Sequence, residues 1–118
     1  MDRSVTPEEA GVVQWLLEHA SVGDITPYRL RPIEELRVVG GCDCGCSSLH
    51  FEGDRRGARI IADALAVYSD SQQAGLILWG REGEILSLEV YELHPGASCR
   101  FPEIRDLLTF EDRGRQLD

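Results

Sequence analysis

Three of the four cysteines in this chain lie within five residues, at Cys42, Cys44 and Cys46, and the fourth follows at Cys99. Thiols this dense are typical of a zinc site, of a redox or nucleophilic site, or of a strand that uses cysteine as a small apolar side chain. Together the four thiols would supply the four ligands of a structural zinc ion. These cysteines are therefore the candidate metal ligands of the chain.

The three clustered thiols lie at every second residue, so in an extended strand they cannot all bind one metal ion. Binding one ion would require the backbone to fold back on itself. An extended strand advances about 3.3 Å per residue, so Cys42 and Cys46 would lie about 13 Å apart, whereas zinc binds sulfur at about 2.3 Å. A tight turn at Gly45 would bring the thiols together. In that arrangement His50 or His94 could replace the distant fourth cysteine as a ligand.

We favour the interpretation in which these cysteines pack in the core. Cys42 and Cys44 share the sequence parity of Leu36 and Val38, which places all four on one face of a regular strand. Free cysteine is also among the most buried residue types. A reactive thiol is the weakest hypothesis, because the carboxylate of Asp43 would raise the pKa of a neighbouring thiol. The sequence thus predicts no cofactor, with zinc at these cysteines as the alternative.

Two carboxylates also stand out within predicted strands: Asp63, between Ala62 and Ala64, and Glu89. In one pocket they could act as acid and base, or mark the mouth of a ligand pocket between the first helix and the sheet. Strand carboxylates more often face solvent or pair with arginine, and Arg59 shares the parity of Asp63. We therefore predict no catalytic residue.

The charge balance limits the partners of the chain. It has 21 acidic and 12 basic side chains, a formal net charge of −9. This sign opposes binding to nucleic acid or to anionic membranes and favours a basic protein partner. No apolar run approaches the roughly 20 residues that span a bilayer. The N-terminus lacks the apolar stretch of a secretory signal, so we expect a cytoplasmic protein.

The first element is a helix with a clear start. Thr6 is the expected N-cap, Pro7 the first helical residue and Glu9 the partner in a capping box. We expect the helix to end at Gly23 and a second short helix or turn to follow Pro27. Apolar residues recur at helical spacing and form one face: Val12, Val13, Leu16, Leu17 and Ala20.

The second half of the chain alternates as strands do. Strands are expected over residues 36–44, 47–52, 58–68, 74–80 and 84–93, followed by a short helix over residues 102–108. An even-length turn ending at Gly83 closes the last hairpin. It would place Ile77 and Trp79 on the same face as three apolar residues of the next strand, Leu86, Leu88 and Val90.

These elements predict an α+β fold. One N-terminal helix, or two, would pack on an antiparallel meander of about five strands, with a short C-terminal helix. Residues 1–110 would form a single domain, and residues 111–118 a polar tail.

Two segments carry a resemblance. Residues 42–51 read Cys-Asp-Cys-Gly-Cys-Ser-Ser-Leu-His-Phe, and residues 83–91 read Gly-Glu-Ile-Leu-Ser-Leu-Glu-Val-Tyr. With a trailing Phe101-Pro102, the chain resembles a group of small uncharacterised bacterial proteins that pair a Cys-x-Cys-Gly-Cys segment with a C-terminal Leu-Glu-x-Tyr hairpin. The resemblance implies a shared small α+β domain and no transferable catalytic residues.

The sequence favours a non-enzymatic binding or regulatory module that engages another protein through its acidic surface or an exposed sheet face. Trp79 and Tyr91 are candidate anchors of that interface. One alternative is a zinc-containing or thiol-based enzyme centred on Cys42, Cys44 and Cys46. The other is a small-ligand carrier.

Overall fold

In the computed structural model, which describes residues 2–41, 47–93 and 100–112, one antiparallel sheet of seven strands carries a helix on one face. The strands follow the order β1-β2-β3-β6-β5-β4-β7 across the sheet. Three 3₁₀ turns lie at Thr26–Arg29, Ile33–Glu35 and Ile104–Asp106. The main elements are β1 (Arg3–Ser4), α1 (Pro7–His19), β2 (Arg37–Gly41), β3 (Leu49–Phe51), β4 (Arg59–Val67), β5 (Gln73–Arg81), β6 (Glu84–Glu92) and β7 (Leu107–Leu108).

The predicted α+β class is confirmed, but the sheet is larger than predicted and is not a simple meander. The five expected strands correspond to β2–β6, and the two-residue strands β1 and β7 lie at the two edges. Only β4, β5 and β6 form a meander. The hairpin of β2 and β3 instead joins the far side of β6, so the turn after β3 carries the chain across two strands to reach β4.

The predicted C-terminal helix over residues 102–108 is wrong. This segment forms the 3₁₀ turn Ile104–Asp106 and then β7, which pairs with Leu65 and Ala66 of β4. Pairing with the edge of β4 overrides the local helical pattern, because backbone groups at that edge gain partners. Residues 110–112 are helical, and the rest of the predicted tail lies outside the described residues.

The helix α1 begins as its sequence predicts. The Thr6 hydroxyl accepts a hydrogen bond from the Glu9 backbone N–H at 3.1 Å, and the Glu9 carboxylate accepts one from the Thr6 backbone N–H at 2.9 Å. The Arg3 guanidinium adds two hydrogen bonds to the same carboxylate, both at 2.8 Å. This network joins β1 to the helix, and the side chain of Glu9 keeps only 10% of its exposure.

The helix ends at His19, before the predicted stop at Gly23. The residues after the helix pair with β4. The Val22 N–H donates to the Ile61 carbonyl at 2.9 Å, and the Asp63 N–H donates to the Ala20 carbonyl at 3.2 Å. These bonds hold the end of α1 against the edge of the sheet. No described helix has the length and apolar character needed to cross a bilayer.

The core lies between α1 and one face of the sheet. Val12, Val13, Leu16 and Leu17 of α1 are at most 2% exposed. They join a cluster with alternate residues of the central strands: Ala62, Ala64, Ala66, Ala74, Leu76, Leu78, Leu88 and Val90. The core-facing positions of β4, the strand that α1 contacts most, are Ala62, Ala64 and Ala66, and their small side chains leave room for a close approach of the helix.

The hairpin of β5 and β6 has the predicted even-length turn. Glu82 and Gly83 form it with positive φ angles of 50° and 83°, the backbone of a type I′ turn. Arg81 lies opposite Glu84 at its base. The left-handed backbone at Gly83 explains why a glycine stands at that position.

A β-bulge then changes which residues face the core. Gly80 pairs with Ile85, but Trp79 pairs with Ser87, so Leu86 is an extra residue in β6. An extra residue shifts the register by one, and every later side chain of that pair moves to the opposite face.

The predicted face of Ile77 and Trp79 is therefore wrong. Leu78 lies opposite Leu88 in the core, whereas Ile77 lies opposite Glu89 on the other face of the sheet. Trp79 lies on that second face as well. The bulge thus removes an aromatic ring from the core and places it beside a carboxylate.

The side chain of Ser48, the residue before β3, binds β6. The hydroxyl of Ser48 accepts a hydrogen bond from the Val90 N–H at 2.8 Å and donates one to the Val90 carbonyl at 3.2 Å. Ser48 is only 8% exposed. Its hydroxyl thus satisfies both backbone groups of a buried core residue.

We expect Ser48→Ala to lower the free energy of unfolding by about 1–3 kcal/mol, because the Val90 N–H and carbonyl lose a buried partner. Ser87→Ala, on the face away from the core, should change it by less than about 0.5 kcal/mol. Urea unfolding of both variants provides the measurement. Equal effects would contradict this role of Ser48.

We expect Glu9→Gln to lower the free energy of unfolding by about 1–2 kcal/mol at neutral pH. The hydrogen bonds from Arg3, followed by those from Thr6, hold the pKa of Glu9 below its usual value despite partial burial. The contribution of the carboxylate is therefore complete above about pH 4.3, the ordinary glutamate pKa, and is lost as the pH falls through the lower pKa of the folded state.

Urea unfolding across this acidic range should thus show the gap between wild type and Glu9→Gln closing as the pH falls. The matched control is Glu8→Gln, an exposed neighbour in the same helical turn. A gap that stays constant down to strongly acidic pH would be inconsistent with the Arg3–Glu9 pair.

Candidate functional site

The sheet face opposite α1, called the open face below, carries the candidate site. Five of its side chains are half-buried: Asp63, Ile77, Trp79, Glu89 and Tyr91. Leu65, which alternates with the core alanines of β4, also faces this side and is only 5% exposed. These side chains alternate along the strands with residues of the core, so the same backbone that holds α1 also fixes their positions. The open face is therefore a rigid surface on a packed scaffold.

Two carboxylates and an isoleucine form one cross-strand row on this face. Ile77 of β5 lies between its two register partners, Asp63 of β4 and Glu89 of β6. Neighbouring strands are about 4.8 Å apart, so the backbones of the two acidic residues are separated by about 10 Å. We call these three residues the acidic row. It presents an apolar centre with a negative charge on each side.

The indole of Trp79 fixes one of these carboxylates. Its Nε1–H donates a hydrogen bond to Oε1 of Glu89 at 3.1 Å. Trp79 lies two residues after Ile77 on β5, on the same face, and pairs with Ser87. An apolar ring thus borders the acidic row and orients Glu89.

The phenol of Tyr91 closes the other side of the row. Tyr91 pairs with Gly75, and a Cβ at Gly75 would overlap the tyrosine ring, so the ring lies directly on the glycine backbone. Burial raises the pKa of Tyr91, and the negative charges of Asp63 and Glu89 raise it further. The phenol therefore stays protonated at neutral pH and can donate a hydrogen bond.

Among the residues described, neither carboxylate of the acidic row forms an ion pair with a basic side chain. The predicted candidate partner, Arg59, shares the parity of Asp63 but pairs with Gly80, whose Cβ position faces Tyr28 and Ile61 on the α1 side. A bulge at Ile61 separates the two faces. Among the described residues, Arg59 therefore does not neutralise the acidic row.

Asp63 and Glu89, predicted as possible pocket residues, are brought into one row by the sheet, but on the face opposite α1. A ligand site at these residues would therefore lie on an open surface, away from the interface between helix and sheet. His50, considered as a zinc ligand, also lies on this face, opposite Ser87.

The four predicted metal ligands, Cys42, Cys44, Cys46 and Cys99, lie outside the described residues, and so does His94. The zinc and thiol hypotheses therefore stay predictions. In residues 2–41, 47–93 and 100–112, no three potential ligands gather in an arrangement that could hold a metal ion.

The core placement of Cys42 and Cys44 assumes regular alternation along β2, and it stays a prediction because both residues lie outside the described ones. Val38 pairs with Phe51 in the core, but Gly40 pairs with His50 on the open face, because β2 has a bulge between Val38 and Gly40. Residues of equal parity before and after this bulge face opposite sides.

Sequence reasoning identified both carboxylates and missed that they share a row with Ile77. Alternation along β6 separates Glu89 and Tyr91 from Leu88 and Val90, so their common face could have been found. The juxtaposition with Asp63 required the register of three strands, which depends on the bulges in β4 and β6.

We expect the double variant Asp63→Asn, Glu89→Gln to lower the pKa of Tyr91 toward its ordinary value of about 10, because two negative charges near the phenolate are removed while burial remains. Ultraviolet titration, with Tyr91→Phe to identify its contribution, measures the shift. Glu34→Gln, Glu35→Gln removes two charges elsewhere and should leave this pKa unchanged. A Tyr91 pKa that is equal in both double variants would show that the acidic row is not near the phenol.

Comparisons with protein-family models, with curated proteins and with solved structures found no match to this chain. The geometry of the open face is therefore the basis for the functional argument.

Proposed function

We propose that this chain is a non-enzymatic binding or regulatory module that engages a protein partner through the open face. The acidic row carries the proposal: partly exposed Ile77, bordered by Trp79, lies between two carboxylates that no described basic side chain neutralises. Aromatic and apolar anchors within a polar rim are typical of protein interfaces.

The charge of the surface supports a basic partner. The chain has a net charge of −9, and the two carboxylates of the acidic row concentrate negative charge at the apolar centre. An arginine or lysine of the partner would gain an ion pair while its aliphatic stem packed on Ile77. Complementary charges also accelerate encounter between partners.

The same geometry supports binding better than catalysis. General acid and base groups act most effectively in sites that exclude water, with the reacting atom within hydrogen-bond reach of both. Asp63 and Glu89 are separated by the side chain of Ile77 on a surface. The protonated phenol of Tyr91 is suited to recognition, because it can donate a hydrogen bond to a partner.

We expect Ile77→Arg to weaken partner binding by about tenfold or more, because it places a cation between the two carboxylates and removes the apolar centre. The matched control is Ile104→Arg, which makes the same change at a 49% exposed site next to α1. Thermal unfolding of each variant confirms that it remains folded.

The measurement has two stages. Proteins from the native cell extract are captured on the wild type, on Ile77→Arg and on Ile104→Arg, and are quantified by mass spectrometry. Each protein that only Ile77→Arg loses is then purified, and its direct binding is mapped by NMR. A partner that binds at the open face supports the proposal, whereas equal capture by all three chains, or no specific capture, would overturn it.

The double variant Asp63→Asn, Glu89→Gln tests the charge separately from the shape. It preserves the size of both side chains, and the new amide at position 89 keeps an oxygen that can accept from the Trp79 indole. We expect weaker binding of a basic partner by this variant as well. Unchanged affinity would overturn the assignment of a basic partner.

A further inference from the structure

An exposed segment on the other side of the molecule has the chemistry complementary to the acidic row. Arg29 ends the first 3₁₀ turn, and Leu30 and Arg31 follow it toward the second; these three residues are called the tip below. Leu30 is 79% exposed, more than any other large hydrophobic residue described. An aliphatic side chain at this exposure gains little from burial in its own chain.

The tip is basic within an acidic protein. Residues 25–33 contain two arginines and no acidic side chain, and Asp24, Glu34 and Glu35 flank them in a chain whose net charge is −9. Arg31 contacts Glu84 at 3.8 Å with 73% of its side chain exposed, a weak surface pair that can exchange for another carboxylate. The tip thus presents a basic–apolar–basic sequence to solvent.

Two buried residues hold the tip in place. Tyr28 and Ile33, on either side of it, are 7% and 8% exposed and belong to the core cluster. The ring of Tyr28 packs beside Gly80 and Ile61 on the α1 side of the sheet. The tip therefore lies on the side opposite the open face and cannot reach the acidic row of its own chain.

We propose that the acidic row of one copy binds the tip of a second copy. Leu30 packs on Ile77, and Arg29 and Arg31 pair with the two carboxylates that flank it. This inference rests on the proposed function, since it assigns a second copy to the surface that binds a basic partner.

Because the two surfaces differ, the contact is head-to-tail, and each added copy leaves a new acidic row and a new tip. Self-association consequently competes with partner binding. At higher concentrations of the chain, more open faces are occupied by tips of other copies and fewer can bind the partner. Self-assembly would therefore regulate partner binding.

Sedimentation equilibrium over a range of concentrations provides the test. The wild type should show an average mass that rises with concentration beyond that of a dimer. The tip variant, with serine substitutions Arg29→Ser, Leu30→Ser and Arg31→Ser, should remain monomeric, and so should the face variant Ile77→Arg. The control Arg55→Ser, Arg56→Ser removes two arginines from another exposed turn and should associate as the wild type does.

The mixture of the two defective variants is decisive. The tip variant keeps its acidic row and the face variant keeps its tip, so an equimolar mixture should form a one-to-one dimer and nothing larger. A monomeric wild type, a monomeric mixture, or variants that associate like the wild type would each overturn the proposal. Should Ile77→Arg fail to fold, Asp63→Asn, Glu89→Gln serves as the face variant.

This experiment separates the inference from the proposed function. The tip variant retains the open face, so it should capture the partner at least as well as the wild type does. If the wild type does not self-associate but still captures a partner through Ile77, only the head-to-tail contact is contradicted. Self-association without any partner would contradict only the proposed function.

Discussion

Packing of α1 against one face of the sheet is the constraint on which the other features depend. The helix packs on the buried alanines of β4, and with the 3₁₀ turns that follow it covers the alternate residues of β5 and β6 on the same side. Residues between them on the same strands, such as Ile77 and Trp79, face the other way and stay half-buried. A stable core and a partly apolar surface are thus two sides of one backbone, and the surface gains its rigidity from the core.

Local sequence signals predicted the structural features that depend on residues close together along the chain. The capping box of Thr6 and Glu9, the two-residue turn at Glu82 and Gly83 and the α+β class follow from spacing and residue type. Both carboxylates of the site could also be selected from their strand context. The edge strand β7 could not be predicted from its sequence, because its pairing with β4 overrides the helical preference of that segment.

The bulges in β2, β4 and β6 limited what the sequence could predict about the site. One extra residue, such as Leu86, reverses the face of every residue that follows, and parity arguments assume that no such residue exists. For this reason parity places Ile77 and Trp79 on the face of Leu88 and Val90, whereas the structure places them on the opposite face. The bulges in β4 and β6 also align Asp63, Ile77 and Glu89 in one row, so the wrong prediction for Ile77 and Trp79 and the geometry of the site have one physical origin.

Hydroxyl-radical footprinting of the β5 side chains tests the central claim most directly, because Leu76 and Leu78 alternate with Ile77 and Trp79 along one strand. Our account predicts oxidation at Ile77 and Trp79 and protection at Leu76 and Leu78 in the free protein. Protection of all four would mean that another layer covers the open face. Oxidation of the two leucines, with Ile77 and Trp79 protected, would show that the register without a bulge is correct and would contradict the account.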